Sequence, residues 1–134
     1  MIVADANLIA YLLLPGEQTE AAEAVHRRDA VWVAPVLWSS ELRSVLLAQL
    51  RLGNLTPVQA NRLMGQAEQL LAGRVGGPSS ARVLDLALGS GCSSYDCEYV
   101  ALAEELGAPL VSSDRKLGRA FPGIVVTPVQ FAAG

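Results

Sequence analysis

The sequence predicts an α/β fold built around a parallel sheet, and three observations carry that reading. Short apolar runs (IVA, VWVAP, PLVSS and IVVTP) are spaced along the chain, each stopped by a proline or an acid. Longer stretches of helical periodicity separate them. The 134 residues are 51% hydrophobic and 17% charged, enough for one domain with a buried core and too apolar for disorder. Strands alternating with helices in this way imply parallel pairing.

Element by element, Ile2, Val3 and Ala4 read as a buried first strand. Leu8, Ile9, Leu12 and Leu13 give the next segment the core face of a helix. GEQTEAAEAVHRRD has helical composition, with Ala21, Ala24 and Val25 as its inner face. VWVAP is a second strand, ended by Pro35. A long helix runs through VLWSSELRSVLLAQLRLG and stops near Gly53 and Asn54. Thr56 and Pro57 start another as cap and first-turn proline, reaching about Leu71. GRVGGPSS is the loosest stretch, yet too short for a domain boundary, so residues 1–134 read as a single domain. Two more helices follow at SSARVLDLALGS and SSYDCEYVALAEELG. PLVSS is the third strand, DRKLGRAFPG a loop or short helix, and IVVTP the fourth strand.

Composition removes several function classes. No run of about 18 apolar residues is present, so no ordinary membrane span is expected. The start lacks a positive n-region, and Asp5 would interrupt an apolar one, so no export signal is expected. Cys92 and Cys97 are the only cysteines and His26 the only histidine, without zinc-ligand spacing. Two free thiols suit a reducing cytoplasm. A formal net charge of -3 gives no bulk attraction for nucleic acid. An anionic substrate then needs a local patch or a bound cation.

Four carboxylates stand in unusual places. Parallel sheets bind ligands outside the carboxyl ends of their strands, and Asp5 and Asp114 follow two of those ends. Each also fits a plain role as a helix cap or turn starter. Glu41 shares a helical stripe with Leu37, Val45 and Ala48, an acid among apolar residues. The bland alternative is a stripe bordering solvent, with Trp38, Leu42 and Leu46 as the core face. Asp96 shares a face with Val100 and Ala103. It also suits a first helical turn, where an acid gains about 0.3–1 kcal/mol from the dipole, or a cap shared with Ser93.

Gathering these acids has an energetic consequence. Two unit charges 4 Å apart repel by about 4 kcal/mol at an effective dielectric near 20. A cluster of four would protonate in part, distort, or recruit hard divalent cations through its oxygen ligands.

The segments VADANLIAYLL, WSSELRSVL and YDCEYVALAEELGAPLVSSD, in this order and spacing, resemble a PIN domain, and in particular the VapC-type toxin ribonucleases. The resemblance extends over nearly the whole chain. It implies a three-layer α/β/α sandwich around a short parallel sheet, with the acids in one cleft. It further implies RNA cleavage by metal-activated water with Mg²⁺ or Mn²⁺, a homodimer, and an antitoxin that blocks the site. By position, Asp5, Glu41 and Asp96 would be the main metal ligands, and Asp114 would complete the acidic set. Ser112 or Ser113 would support the metal water, although Ser113 departs from the Asn or Thr usual at its place. Asn7 matches a variant that orients the first loop.

Arg115, Lys116 and Arg119 follow Asp114 directly and read as a phosphate clamp, with a solvated turn as the alternative. Arg43 lies about 200° around the helix from Glu41 and faces elsewhere. Trp32 and Trp38 offer base-stacking surfaces, but their apolar neighbours favour core or dimer packing. An aspartyl phosphatase would want an acid where Asn7 stands. A receiver module would want an acidic pair and a later lysine than Lys116. A non-catalytic RNA-binding or interaction module on the same fold is the remaining alternative, and the presence of all four acids speaks for the enzyme.

Overall fold

A computed structural model describes residues 1–134. The five strands are β1 (Ile2–Ala4), β2 (Trp32–Pro35), β3 (Val75–Gly76), β4 (Leu110–Val111) and β5 (Val125–Val126). They form one all-parallel sheet in the order β3-β2-β1-β4-β5. The chain thus builds outward from β1 in one direction, then returns to build outward in the other. The switch in direction lies between β1 and β4, where such sheets open a crevice at their carboxyl edge.

Eight helices cover the sheet: α1 (Ala6–Leu13), α2 (Thr19–Arg28), α3 (Trp38–Arg51), α4 (Pro57–Leu71), α5 (Ser80–Ser90), α6 (Ser94–Leu106), α7 (Arg115–Ala120) and α8 (Pro128–Ala133). Alternation along the strands divides the core in two. Ile2, Ala4, Trp32, Ala34 and Val111 point to the layer of α1, α2, α3 and α4. Val3, Val33, Leu110 and Val125 point to the layer of α5, α6 and α7. This is the expected three-layer sandwich.

Most helix limits follow from local chemistry. Thr56 accepts from the Gln59 N–H at 3.2 Å while the Gln59 side chain accepts from the Thr56 N–H, a reciprocal capping box ahead of Pro57. Ser79 and Ser93 cap α5 and α6 through the N–H groups of Arg82 and Asp96. On α3 the buried residues are Trp38, Leu42 and Leu46, the core face named in the alternative reading of the Glu41 stripe. Both tryptophans are core residues, and the Trp32 indole donates to the Asp29 carbonyl at 2.8 Å.

Two expectations are corrected, and one element is added that the sequence reading did not include. Ala22 and Val25 are the buried residues of α2, while Ala21 and Ala24 flank them half-exposed. The stretch GRVGGPSS is not merely loose: Val75 and Gly76 pair with Ala34 and Pro35 as a fifth, edge strand. Arg74 holds that edge, its guanidinium donating to the carbonyls of Trp32 and Leu70 at 3.0 Å. Beyond IVVTP the chain adds α8, started by Thr127, Pro128 and Gln130 in the same capping box as α4. Repetition of that box was the sequence signal for it.

Candidate active site

The cavity at the switch point holds about 280 Å³, and acid- and hydroxyl-bearing side chains from four parts of the chain wall it. Asp5 enters from the end of β1, Glu41 and Ser44 from α3, and Asp96 and Tyr99 from α6. Ser112 and Asp114 complete it from the turn after β4. All four carboxylates singled out from the sequence therefore line one space.

Asp5 does two jobs. Its Oδ1 accepts from the Leu8 N–H at 2.8 Å and so caps α1. The same half-buried carboxyl is pushed up to about 6, first by burial, then by the charges of Glu41 and Asp114. The Ser112 hydroxyl and the Leu8 N–H pull it the other way. Asp114 repeats the arrangement, capping α7 through the Leu117 N–H at 2.9 Å. The cap and the site are one residue in both cases.

Glu41 borders the core face of α3 and points into the cavity, so the two readings of its stripe describe one position. Its Oε1 accepts the Tyr99 hydroxyl at 2.6 Å. Tyr99 is buried, and burial first, then the bond to Glu41, push its phenol far above the ordinary range. It stays a donor at any physiological pH, pinning one Glu41 oxygen and leaving the other free. Asp96 stands half-buried in the first turn of α6, three residues before Tyr99.

Ser112 is buried, and its Oγ accepts the Asp114 N–H at 3.1 Å, leaving its own proton for Asp5. Ser113 is exposed and does not line the cavity. Arg115, Lys116 and Arg119 are exposed on α7, just beyond Asp114. Arg115 and Arg119 share a face one turn apart. Lys116 turns away, its Nζ donating to the Gly91 carbonyl at 3.2 Å. Asn7 is exposed in the first turn of α1 and lines the cavity mouth, and Arg43 is exposed on the solvent side of α3.

Sequence reasoning missed Tyr99, Ser44 and Glu98. Tyr99 has a legible signal, since it follows Asp96 by three residues and so lies on the same helical face. Glu98 is half-buried and pushed up, first by burial and then by Glu41, which makes it a fifth acid within reach of the group.

The donor set suits a hard divalent cation. Its ligands are oxygens only, and neither cysteine nor histidine lines the cavity. The Asp5 carboxyl is pushed up first by burial and then by the charges of Glu41 and Asp114, and a cation beside it would offset both. No three acidic side chains converge tightly enough to grip one ion by themselves. A magnesium-like ion typically takes only one or two carboxylates and keeps several waters.

Comparison with known proteins agrees with this architecture. The chain is 35% identical over 129 residues to Ribonuclease VapC3 of Pyrobaculum aerophilum, covering 92% of this chain and 97% of that protein. The crystal structure of PAE2754 from Pyrobaculum aerophilum superposes with a TM-score of 0.76 at 23% identity. That match spans 99% of this chain and 90% of the other, and it speaks for the fold. A family model described as PIN domain matches residues 2–121. The chain belongs to the PIN domain family.

Proposed function

We propose that this protein is a metal-dependent endoribonuclease and the toxin of a VapBC-type toxin–antitoxin pair. The observation that carries the reading is the meeting of Asp5, Glu41, Asp96 and Asp114 in one cavity at the switch point of the sheet. Similarity to a protein named as a VapC ribonuclease supports it. The alternative of a non-catalytic module on this fold has no comparable support, because no acid of the set is missing.

Asp5, Glu41 and Asp96 would share Mg²⁺ or Mn²⁺ with the waters such an ion retains, and Asp114 would complete the acidic wall. When bound, the ion would supply Lewis acidity, an activated water and a grip on phosphate oxygens. The chain's own groups prepare the place. Tyr99 fixes the Glu41 carboxylate, the cap bonds from Leu8 and Leu117 fix Asp5 and Asp114, and Ser112 sits between those two. Arg115 and Arg119 would receive the RNA backbone beside this wall, with Lys116 and Ser113 at its margin. Replacing either arginine by alanine would then flatten the salt dependence of binding by about 0.7 in slope.

The partners that follow are an RNA substrate, an antitoxin protein and a second copy of the chain. Leu84 and Leu88, one turn apart on α5 and 62% and 89% exposed, suit a homodimer that uses helical surface. No helix is long and apolar enough to cross a membrane. Both cysteines are free and buried, which fits the cytoplasmic setting proposed for such a toxin.

Incubation of the purified protein with RNA, with and without exhaustive chelation and with Mg²⁺ or Mn²⁺ restored, tests the reading. Cleavage is expected only with the ion, and cleavage that survives chelation would overturn it.

A further inference from the structure

A second and larger groove of about 420 Å³ adjoins the acidic cavity. The two share Asn7 and Val45 on their walls, so a chain leaving one enters the other. Its size falls within the range of about 300–1,000 Å³ usual for small-molecule sites. No arginine or lysine lines it, and Glu17 does, which disfavours a phosphate there.

The chemistry of its walls is instead that of a base. Tyr11 is a half-buried aromatic on the groove wall, packed in part against the core and with its phenol within electrostatic reach of Asp5. The groove wall also carries the amides of Gln49 and Asn54. The Asn54 amide nitrogen donates to the Gln49 side-chain oxygen at 2.9 Å, which leaves the Gln49 amide group as a donor and the Asn54 oxygen as an acceptor. A donor beside an acceptor is the pattern that a base edge requires. The loop between α1 and α2 is already fixed as a wall. The Thr19 hydroxyl donates to the Leu14 carbonyl at 2.9 Å and accepts the Gly16 N–H at 3.0 Å.

We infer that this groove is a nucleobase subsite, which takes one unstacked base of the RNA next to the scissile phosphate, stacked on Tyr11 and read by Gln49 and Asn54. The inference rests on the ribonuclease reading above and names the source of its sequence preference. Base–aromatic stacking tolerates any base, so Tyr11 supplies affinity and the amide pair supplies choice.

The test is a walk with RNA oligonucleotides in which one nucleotide at a time near the cleavage site is replaced by an abasic ribose. In the wild-type protein, one position within two nucleotides of the scissile bond is expected to lose about tenfold in kcat/KM. In Tyr11→Ala the same abasic substitution should cost less than about twofold, because the stacking platform is already gone. Since Tyr11 also packs on the core, Asn54→Ala at an exposed loop position provides a second variant. It should narrow the spread of rates among the four bases at that nucleotide while the melting midpoint stays at the wild-type value. An abasic penalty of equal size in wild type and Tyr11→Ala, with an unchanged base preference in Asn54→Ala, would overturn the subsite and leave ribonuclease activity standing. A wild-type protein that cleaves no RNA at all overturns both readings.

Discussion

Two sets of helix caps divide this molecule. Thr56, Ser79, Ser93 and Thr127 start α4, α5, α6 and α8 with neutral hydroxyls and do not line the acidic cavity, although Ser93 holds the N–H of Asp96, which does. At the carboxyl edge of the sheet, Asp5 and Asp114 start α1 and α7 with charges. For the helix alone the two kinds are nearly equivalent, since Ser, Asp and Asn rank together as caps. The difference is therefore not explained by the helices. Asp5 and Asp114 flank the switch point, and the charges of Glu41 and Asp114 add to the cost that burial places on ionising Asp5. A neutral hydroxyl would cap almost as well without that charge, which agrees with the site role proposed for the two acids.

Separating the two functions of an acidic cap gives the largest expected effect. Asp5→Asn retains an acceptor for the Leu8 N–H but loses the negative ligand. RNA cleavage should fall by more than about a hundredfold while the circular dichroism spectrum is unchanged. Asp96→Asn should behave alike. A variant that cleaves at the wild-type rate would show that the acids serve only as caps.

The same substitution has a stability signature. The Asp5 carboxyl is pushed up to about 6 from an ordinary value of 3.8, so the folded protein binds its proton more tightly than the unfolded chain. The resulting stabilisation is complete below about pH 3.8 and is lost as the pH rises through about 6. Two units correspond to roughly 3 kcal/mol at most, without metal. Asp5→Asn should accordingly melt higher than wild type at pH 8 in a chelating buffer, with the gap closing towards pH 4. Added Mg²⁺ or Mn²⁺ should stabilise wild type more than the variant. Equal melting curves at pH 8 would show that the carboxyl carries no strain.

A smaller effect is expected behind the carboxylates. Tyr99→Phe removes the hydroxyl that orients Glu41 and nothing else from the cavity wall. Loss of such a supporting bond typically costs about 10–100-fold in metal affinity, and the low end is expected because one oxygen is held. Calorimetric titration with Mn²⁺ reads this directly. An unchanged affinity would make the bond incidental.

The smallest effect belongs to the neutral caps. Thr56→Ala should cost about 1 kcal/mol of stability and leave cleavage at the wild-type rate. A loss of activity beyond that of stability would break the division between the two sets.

The sequence by itself determined the strands β1, β2, β4 and β5, the capped helices α4, α5 and α6, and the identity of the four acids. These features rest on local chemistry: apolar runs, caps, prolines and a period of 3.6 residues. A glutamate at position 41 among apolar neighbours is legible for the same reason. The tertiary structure decided the rest. Strand β3 has only two residues and exists because Ala34 and Pro35 offer an edge. Arg74 ties it down through the Trp32 carbonyl, a bond that spans 42 residues of sequence. The choice of Ala22 over Ala21 and Ala24 depends on what α2 packs against, since all three alanines are equally apolar. The partnership of Tyr99 with Glu41 spans 58 residues and is visible only once α3 and α6 face one another. Local chemistry thus fixed which residues could serve a site. Only the order β3-β2-β1-β4-β5, by placing the ends of β1 and β4 side by side, decided that they would meet.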